Sequence, residues 1–131
     1  MNARKVERST ELLGRALDRF GEILDRNDLD HDVHRDAAIQ RFEFTYELFW
    51  KTLKARFEAD GRGVGNSPRA VLRAAYQAGW FDDEAAVDAM LEDRNRTTHA
   101  YDETFADEVF VRLPRYHRVM RAVFDAAGGW A

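Results

Sequence analysis

Apolar residues recur at helical spacing through almost the whole chain, and that periodicity narrows the possible folds more than any other feature. Val6, Leu13, Leu17, Phe20 and Leu24 are separated by three, four or seven residues, so on a 3.6-residue helix they form one stripe. A second stripe runs through Ile39, Phe42, Tyr46, Phe49, Leu53 and Phe57. Phe44, Leu48 and Trp50 widen it, which predicts burial on more than one side. A third joins Phe105, Val109, Leu113, Tyr116, Met120 and Phe124. Only two prolines, at 68 and 114, interrupt the chain, and the glycines gather mainly at 61, 63, 65, 79 and near the C-terminus. Long segments are thus free of helix breakers.

The predicted elements follow from these stripes and their punctuation. Helix one spans Arg4 to Arg26, and the polar run from Asn27 to Asp32 makes a turn because its short side chains compete for backbone hydrogen bonds. Helix two runs from about Val33 to Ala59 and ends in the glycine-rich Asp60–Asn66. Ser67 caps a short helix that Pro68 opens and Gly79 closes. Asp82 or Asp83 caps a fourth helix, and a fifth runs from about Glu103 to Ala127, with Pro114 kinking it. The expected fold is all-α: an antiparallel, up-and-down four-helix bundle with an additional short helix. With 131 residues, 45% of them hydrophobic, one domain spanning 1–131 is expected.

Composition also excludes several functions. Cysteine is absent, which removes disulfides, thiolate nucleophiles and cysteine metal sites. No window approaches a membrane span and the charged N-terminus does not read as a leader, so a cytoplasmic address and no membrane partner are expected. A net charge of −4 argues against coating nucleic acid by bulk charge, although a local basic cleft remains open. The remaining histidines, His31, His34 and His117, form no i, i+4 pair with carboxylate support. No metal and no cofactor are expected. Trp50, Trp80 and Trp130 read as core or interface anchors.

The chemistry-bearing segment is Arg94-Asn95-Arg96-Thr97-Thr98-His99-Ala100-Tyr101. The spacing Arg-x-x-x-x-His is weak by itself, since it also occurs at Arg26 to His31 and Arg112 to His117. The middle copy differs in context: it ends a periodic helix, it continues into Tyr101, and Asp102 and Glu103 follow. At about 100° per residue, Arg94 and Tyr101 lie within roughly 20° of each other on the stripe of Val87 and Leu91. A guanidinium on an apolar stripe is costly unless it is partnered, so Arg94 either pairs with a carboxylate, Glu43 or Glu47 being available, or lines a cleft or subunit interface. For His99 the plain alternative is a solvated helix-end histidine beside Asp102. If functional, histidine can move a proton near neutral pH and arginine can hold phosphate oxygens, the requirements of metal-independent RNA cleavage by the ribose 2′-hydroxyl. Arg94 and His99 are about 140° apart on an ideal helix, so two copies of the chain would converge them more readily than one.

Together with the segment from Gln40 to Lys51 and with Ser67-Pro68-Arg69, these residues resemble the HEPN superfamily, and within it the nucleotidyltransferase substrate-binding proteins that include HepT-type toxins. The resemblance implies a dimerising helical bundle that forms a hetero-oligomer with a minimal nucleotidyltransferase. In the toxin reading the chain is an endoribonuclease of a toxin–antitoxin pair: Arg94 and His99 match the catalytic residues, Asn95 the polar residue after the arginine, and Tyr101 the tyrosine that the partner adenylylates. In the alternative, the same residues form a nucleotide or phosphate pocket on a non-catalytic subunit. A reading from another class is a purely structural interaction module, in which Arg94 and His99 affect only stability or assembly.

Overall fold

The computed structural model describes residues 2–99 and 102–126. Five helices account for nearly all of them: α1 (Asn2–Asp25), α2 (His31–Ala59), α3 (Pro68–Gln77), α4 (Glu84–His99) and α5 (Glu103–Ala126). No strand occurs among the described residues, so the all-α expectation holds. The helix boundaries have identifiable causes. The Ser67 side chain accepts a hydrogen bond from the Ala70 amide at 3.2 Å, with Pro68 opening the helix behind it. Of the two candidate caps for α4, Asp83 performs the role, accepting from the Ala86 amide at 3.0 Å. Gly79, at φ +84°, ends the α3 region in a left-handed conformation that a β-carbon disfavours. Replacing Ser67 with alanine is expected to cost about 1 kcal/mol, read as a lower urea midpoint with an unchanged slope.

The turn after α1 is shorter than its composition suggests. Arg26 closes it by a two-point bond to Asp28, at 2.6 and 2.8 Å, and His31 and Asp32 already belong to α2. Asp32 there complements the positive end of the helix dipole.

The second helix organises the core by packing against each of the other four, while α1 meets α2 and α5. Phe42, Tyr46, Phe49 and Leu53 of α2, Leu13, Leu17 and Phe20 of α1, and Leu113 and Tyr116 of α5 are all fully buried. Two threonines inside α2 are buried without penalty because their hydroxyls are bonded: Thr45 to the Ala16 carbonyl at 3.3 Å, and Thr52 to the Leu48 carbonyl at 2.7 Å. Phe44 departs from expectation. It is 59% exposed, since two residues from Phe42 amount to about 200° of rotation and turn it away from the core. The fifth helix continues through Pro114 as one element. No described helix is long and apolar enough to cross a membrane.

Where α1 lies against α5, glycine permits the close approach. A β-carbon on Gly21 would come within 3.0 Å of the His117 imidazole. That imidazole is needed where it is: it hydrogen-bonds the Leu17 carbonyl at 3.0 Å and stands edge-on to Phe20.

Candidate functional site

The fourth helix begins as an ordinary amphipathic segment, burying Ala86, Val87, Met90 and Leu91. Its pattern then changes at Asp93, a carboxylate only 4% exposed. Arg112 of α5 grips it with two parallel bonds, at 2.7 and 2.9 Å, and the Tyr116 hydroxyl donates a third. A buried charge satisfied by three donors is tolerable where an unsatisfied one would not be. Burial, followed by the bond to Asp93, pushes the Tyr116 phenol well above its ordinary value. The bond to Asp93 likewise raises the Arg112 guanidinium further. This clamp fastens the C-terminal half of α4 to α5, immediately beside Arg94.

Arg94 points to another helix. Its guanidinium lies 3.6 Å from Glu47 of α2, and its side chain remains 24% exposed, in contrast to the buried Arg35. Of the two carboxylates anticipated from sequence, Glu47 takes the arginine. Glu43 instead lies 3.2 Å from the hydroxyl of Thr97, which is also 3.0 Å from the Arg94 carbonyl. Tyr46, adjacent to Glu47, is fully buried, and its hydroxyl has no hydrogen-bond partner among the described residues. Burial pushes this phenol up, while Arg94 and, more weakly, Arg69 oppose the shift. Tyr46 is therefore a neutral O–H donor at physiological pH, within electrostatic reach of two arginines. Glu43 and Glu47 of the Gln40–Lys51 segment thus each contact the α4 segment, at Thr97 and Arg94 respectively.

Asn95 is exposed and lies on the side of α4 that faces α3. With Arg69, Arg73 and Arg96 it lines an open groove of about 700 Å³, comparable to small-molecule clefts. The Arg96 guanidinium also stacks on Phe105, 3.8 Å from the ring centre. His99 is the last residue of α4; its side chain, and the whole of Tyr101 and Trp130, lie outside the described residues.

The acidic residues that follow have structural duties. Asp102 caps α5, accepting from the Thr104 amide at 2.8 Å and the Phe105 amide at 3.5 Å. Glu103 joins Asp32, Asp36 and Asp107 around Arg35 of α2, which is 2% exposed and tied to Asp107 at 3.0 Å. Hydrogen bonds from His31 and then Arg35 hold the Asp107 carboxyl below the usual range. The other two Arg-x-x-x-x-His spacings are accounted for as architecture: Arg26 closes a turn, His31 pairs with Asp107 at 2.8 Å, Arg112 clamps Asp93, and His117 supports α1.

Sequence reasoning missed Asp93, Arg112 and Tyr116 as a unit. Asp93 follows the buried Met90 by three residues, so its place on the inner face was the available signal. Arg69 entered only through the Ser67-Pro68-Arg69 resemblance.

Residues 8–126 match the family model described as nucleotidyltransferase substrate binding protein like. A curated relative, the Haemophilus influenzae protein named as a probable ribonuclease HepT, is 31% identical over 102 residues, covering 70% of each chain. A crystal structure of a Thermus thermophilus protein superposes with a TM-score of 0.77 at 41% identity, covering 87% of this chain and 97% of that one. With a family model spanning most of its length and a HepT relative above 30% identity, the chain belongs to the nucleotidyltransferase substrate-binding-protein-like family, a HepT-like branch of the HEPN superfamily.

Proposed function

We propose that this protein is a HepT-like toxin component that cleaves RNA without a metal ion, and that a partner minimal nucleotidyltransferase controls it. The observation that carries this reading is the partly exposed Arg94, held 3.6 Å from Glu47 near the C-terminal end of α4, in the helix that terminates at His99. The relative's printed name, a ribonuclease, supports the same reading.

The chemistry needs few groups. The ribose 2′-hydroxyl attacks the adjacent phosphorus, the bond to the 5′-oxygen of the next nucleotide breaks, and a 2′,3′-cyclic phosphate and a 5′-hydroxyl result. His99 moves the proton between these oxygens, for which an imidazole is suited near neutral pH. Arg94 holds the non-bridging oxygens and stabilises the charge that grows on them, releasing its contact with Glu47 to do so. Asn95 supplies an amide that can both donate and accept. The proposed arrangement is a homodimer of four-helix bundles with α3 as the additional helix. In it, a two-fold axis brings the α4 ends together and compensates the wide angle between Arg94 and His99. Tyr101 is the site at which the partner attaches a nucleotide to silence the enzyme.

The family description favours a second reading, a non-catalytic subunit that presents substrate to a nucleotidyltransferase. A labelled RNA incubated with purified protein in excess chelator separates the two. The ribonuclease reading predicts cleavage, 2′,3′-cyclic phosphate ends, and complete protection of a scissile position carrying a 2′-deoxyribose. Intact RNA under all conditions, with Tyr101 unmodified by mass spectrometry, transfers the role to the binding subunit.

A further inference from the structure

We infer that the groove between α3 and α4 is a subsite for single-stranded RNA, in which Arg69 and Arg73 hold the phosphates of the nucleotide next to the scissile bond. This inference rests on the ribonuclease reading for its place in catalysis, but it makes a binding claim of its own.

Arg69 and Arg73 are one helical turn apart on α3 and both are exposed on the groove wall. Neither takes part in an ion pair among the described residues; several other exposed arginines share that state, and what marks these two is their place together on one groove wall. The guanidinium fork matches phosphate oxygens in two-point geometry. The floor between the helices is apolar, made by Leu72, Val87 and Leu91. Tyr76, 36% exposed, stands one turn beyond Arg73 on the same wall. An aromatic face over an apolar floor beside cationic forks is the combination that single-stranded nucleic acid uses, with bases stacking and phosphates paired.

Charge gives the strand a position. The connection from Gln77 to Glu84 is short, so the start of α4 lies beside the end of α3. Three carboxylates of α4, Glu84, Asp88 and Glu92, line the groove at successive turns, with Arg96 on the next turn, and they repel phosphate from the α4 wall ahead of Arg96. The phosphates are thereby left to the α3 wall, where Arg69 and Arg73 stand, and to Arg96 at the end of the groove that Asn95 also lines. Asn95, next in the chain to Arg94, lines the groove and joins the subsite to the proposed site of cleavage, while a base rather than a phosphate lies toward Tyr76. A protein ligand is the competing occupant, but two exposed arginines one turn apart on the wall that faces Asn95 and Arg96 favour the nucleic acid.

The test is fluorescence anisotropy of a short single-stranded oligonucleotide, 2′-O-methylated so that it cannot be cut. Binding by wild type is compared with that of an Arg69→Ala/Arg73→Ala variant, a Tyr76→Ala variant, and an Arg4→Ala/Arg8→Ala variant with the same charge change on α1. All the altered side chains are exposed, and circular dichroism verifies folding. The expected result is a loss of about tenfold or more in affinity for the α3 double variant. Its salt dependence also becomes shallower by about 1.4 in log–log slope, the value for two phosphate contacts to a single strand. Tyr76→Ala weakens binding with the slope unchanged, and the α1 variant stays near wild type. Wild-type affinity and slope in the α3 variant overturn the inference, and cleavage by that variant at the wild-type rate leaves the ribonuclease reading standing. A wild type that binds no oligonucleotide also overturns it and gives the groove to a protein ligand. Groove-dependent binding without any cleavage of unmodified RNA upholds the subsite and removes the ribonuclease reading.

Discussion

Replacing Asp93 with alanine is expected to lower the stability of the fold by about 3 kcal/mol, among the largest effects of any single substitution in the protein. The carboxylate is buried and accepts from both arms of Arg112 and from Tyr116. Its removal strands the Tyr116 hydroxyl, which is fully buried, and leaves Arg112 without its counter-charge. Because the Arg112 side chain is 37% exposed, water recovers part of that loss, which places the effect at the lower end of what breaking a buried pair costs, about 3–5 kcal/mol. For a chain of this size the melting temperature should fall by roughly 10 °C. Tyr116→Phe removes one bond and keeps the ring, so about 1 kcal/mol is expected. An Asp93→Ala protein as stable as wild type would mean that the clamp does not hold α4 to α5.

The second large effect is on chemistry. Arg94→Ala is expected to slow RNA cleavage by about 10²–10³-fold, the usual consequence of removing a preorganised group that stabilises developing charge. His99→Ala should cost about 10²–10⁴-fold, in keeping with the loss of a positioned proton carrier. Arg94→Lys keeps the charge but not the fork, so it should fall between wild type and alanine. Arg94→Ala should not resemble Asp93→Ala in stability, since the Arg94 side chain is partly exposed and its distance to Glu47 is 3.6 Å. A pair this exposed contributes at most about 1 kcal/mol. The contrast between adjacent residues is informative: Asp93 faces inward and holds the helix, whereas Arg94, about 100° further round, is held by it.

How much of this was legible before the structure depends on the range of each interaction. Helix positions followed from apolar spacing, because that signal is local and repeated over several turns. Ser67-Pro68 marked the start of α3 for the same reason, its cap bond spanning only three residues. The extent of burial was less readable: Phe44 belongs to an aromatic-rich helix yet faces outward. Glu47 could be named as a partner for Arg94 because few carboxylates lie on α2 near its buried stripe. The clamp on Asp93 could not, since Arg112 and Tyr116 are 19 and 23 residues away on another helix: spacing from Met90 turns Asp93 inward but does not name the donors it meets there. The groove wall formed by Arg69 and Arg73 was equally hidden, since α3 reads from sequence only as a short connecting helix. Its contribution appears once packing sets it beside α4.

The most direct test of the ribonuclease assignment is single-turnover cleavage of one labelled RNA, in chelator, by wild type, Arg94→Ala and His99→Ala proteins matched for folding and oligomeric state. The account predicts cleavage by wild type and a loss of at least about 100-fold in each variant, with melting temperatures close to wild type. Cleavage that persists at the wild-type rate in either folded variant would contradict it.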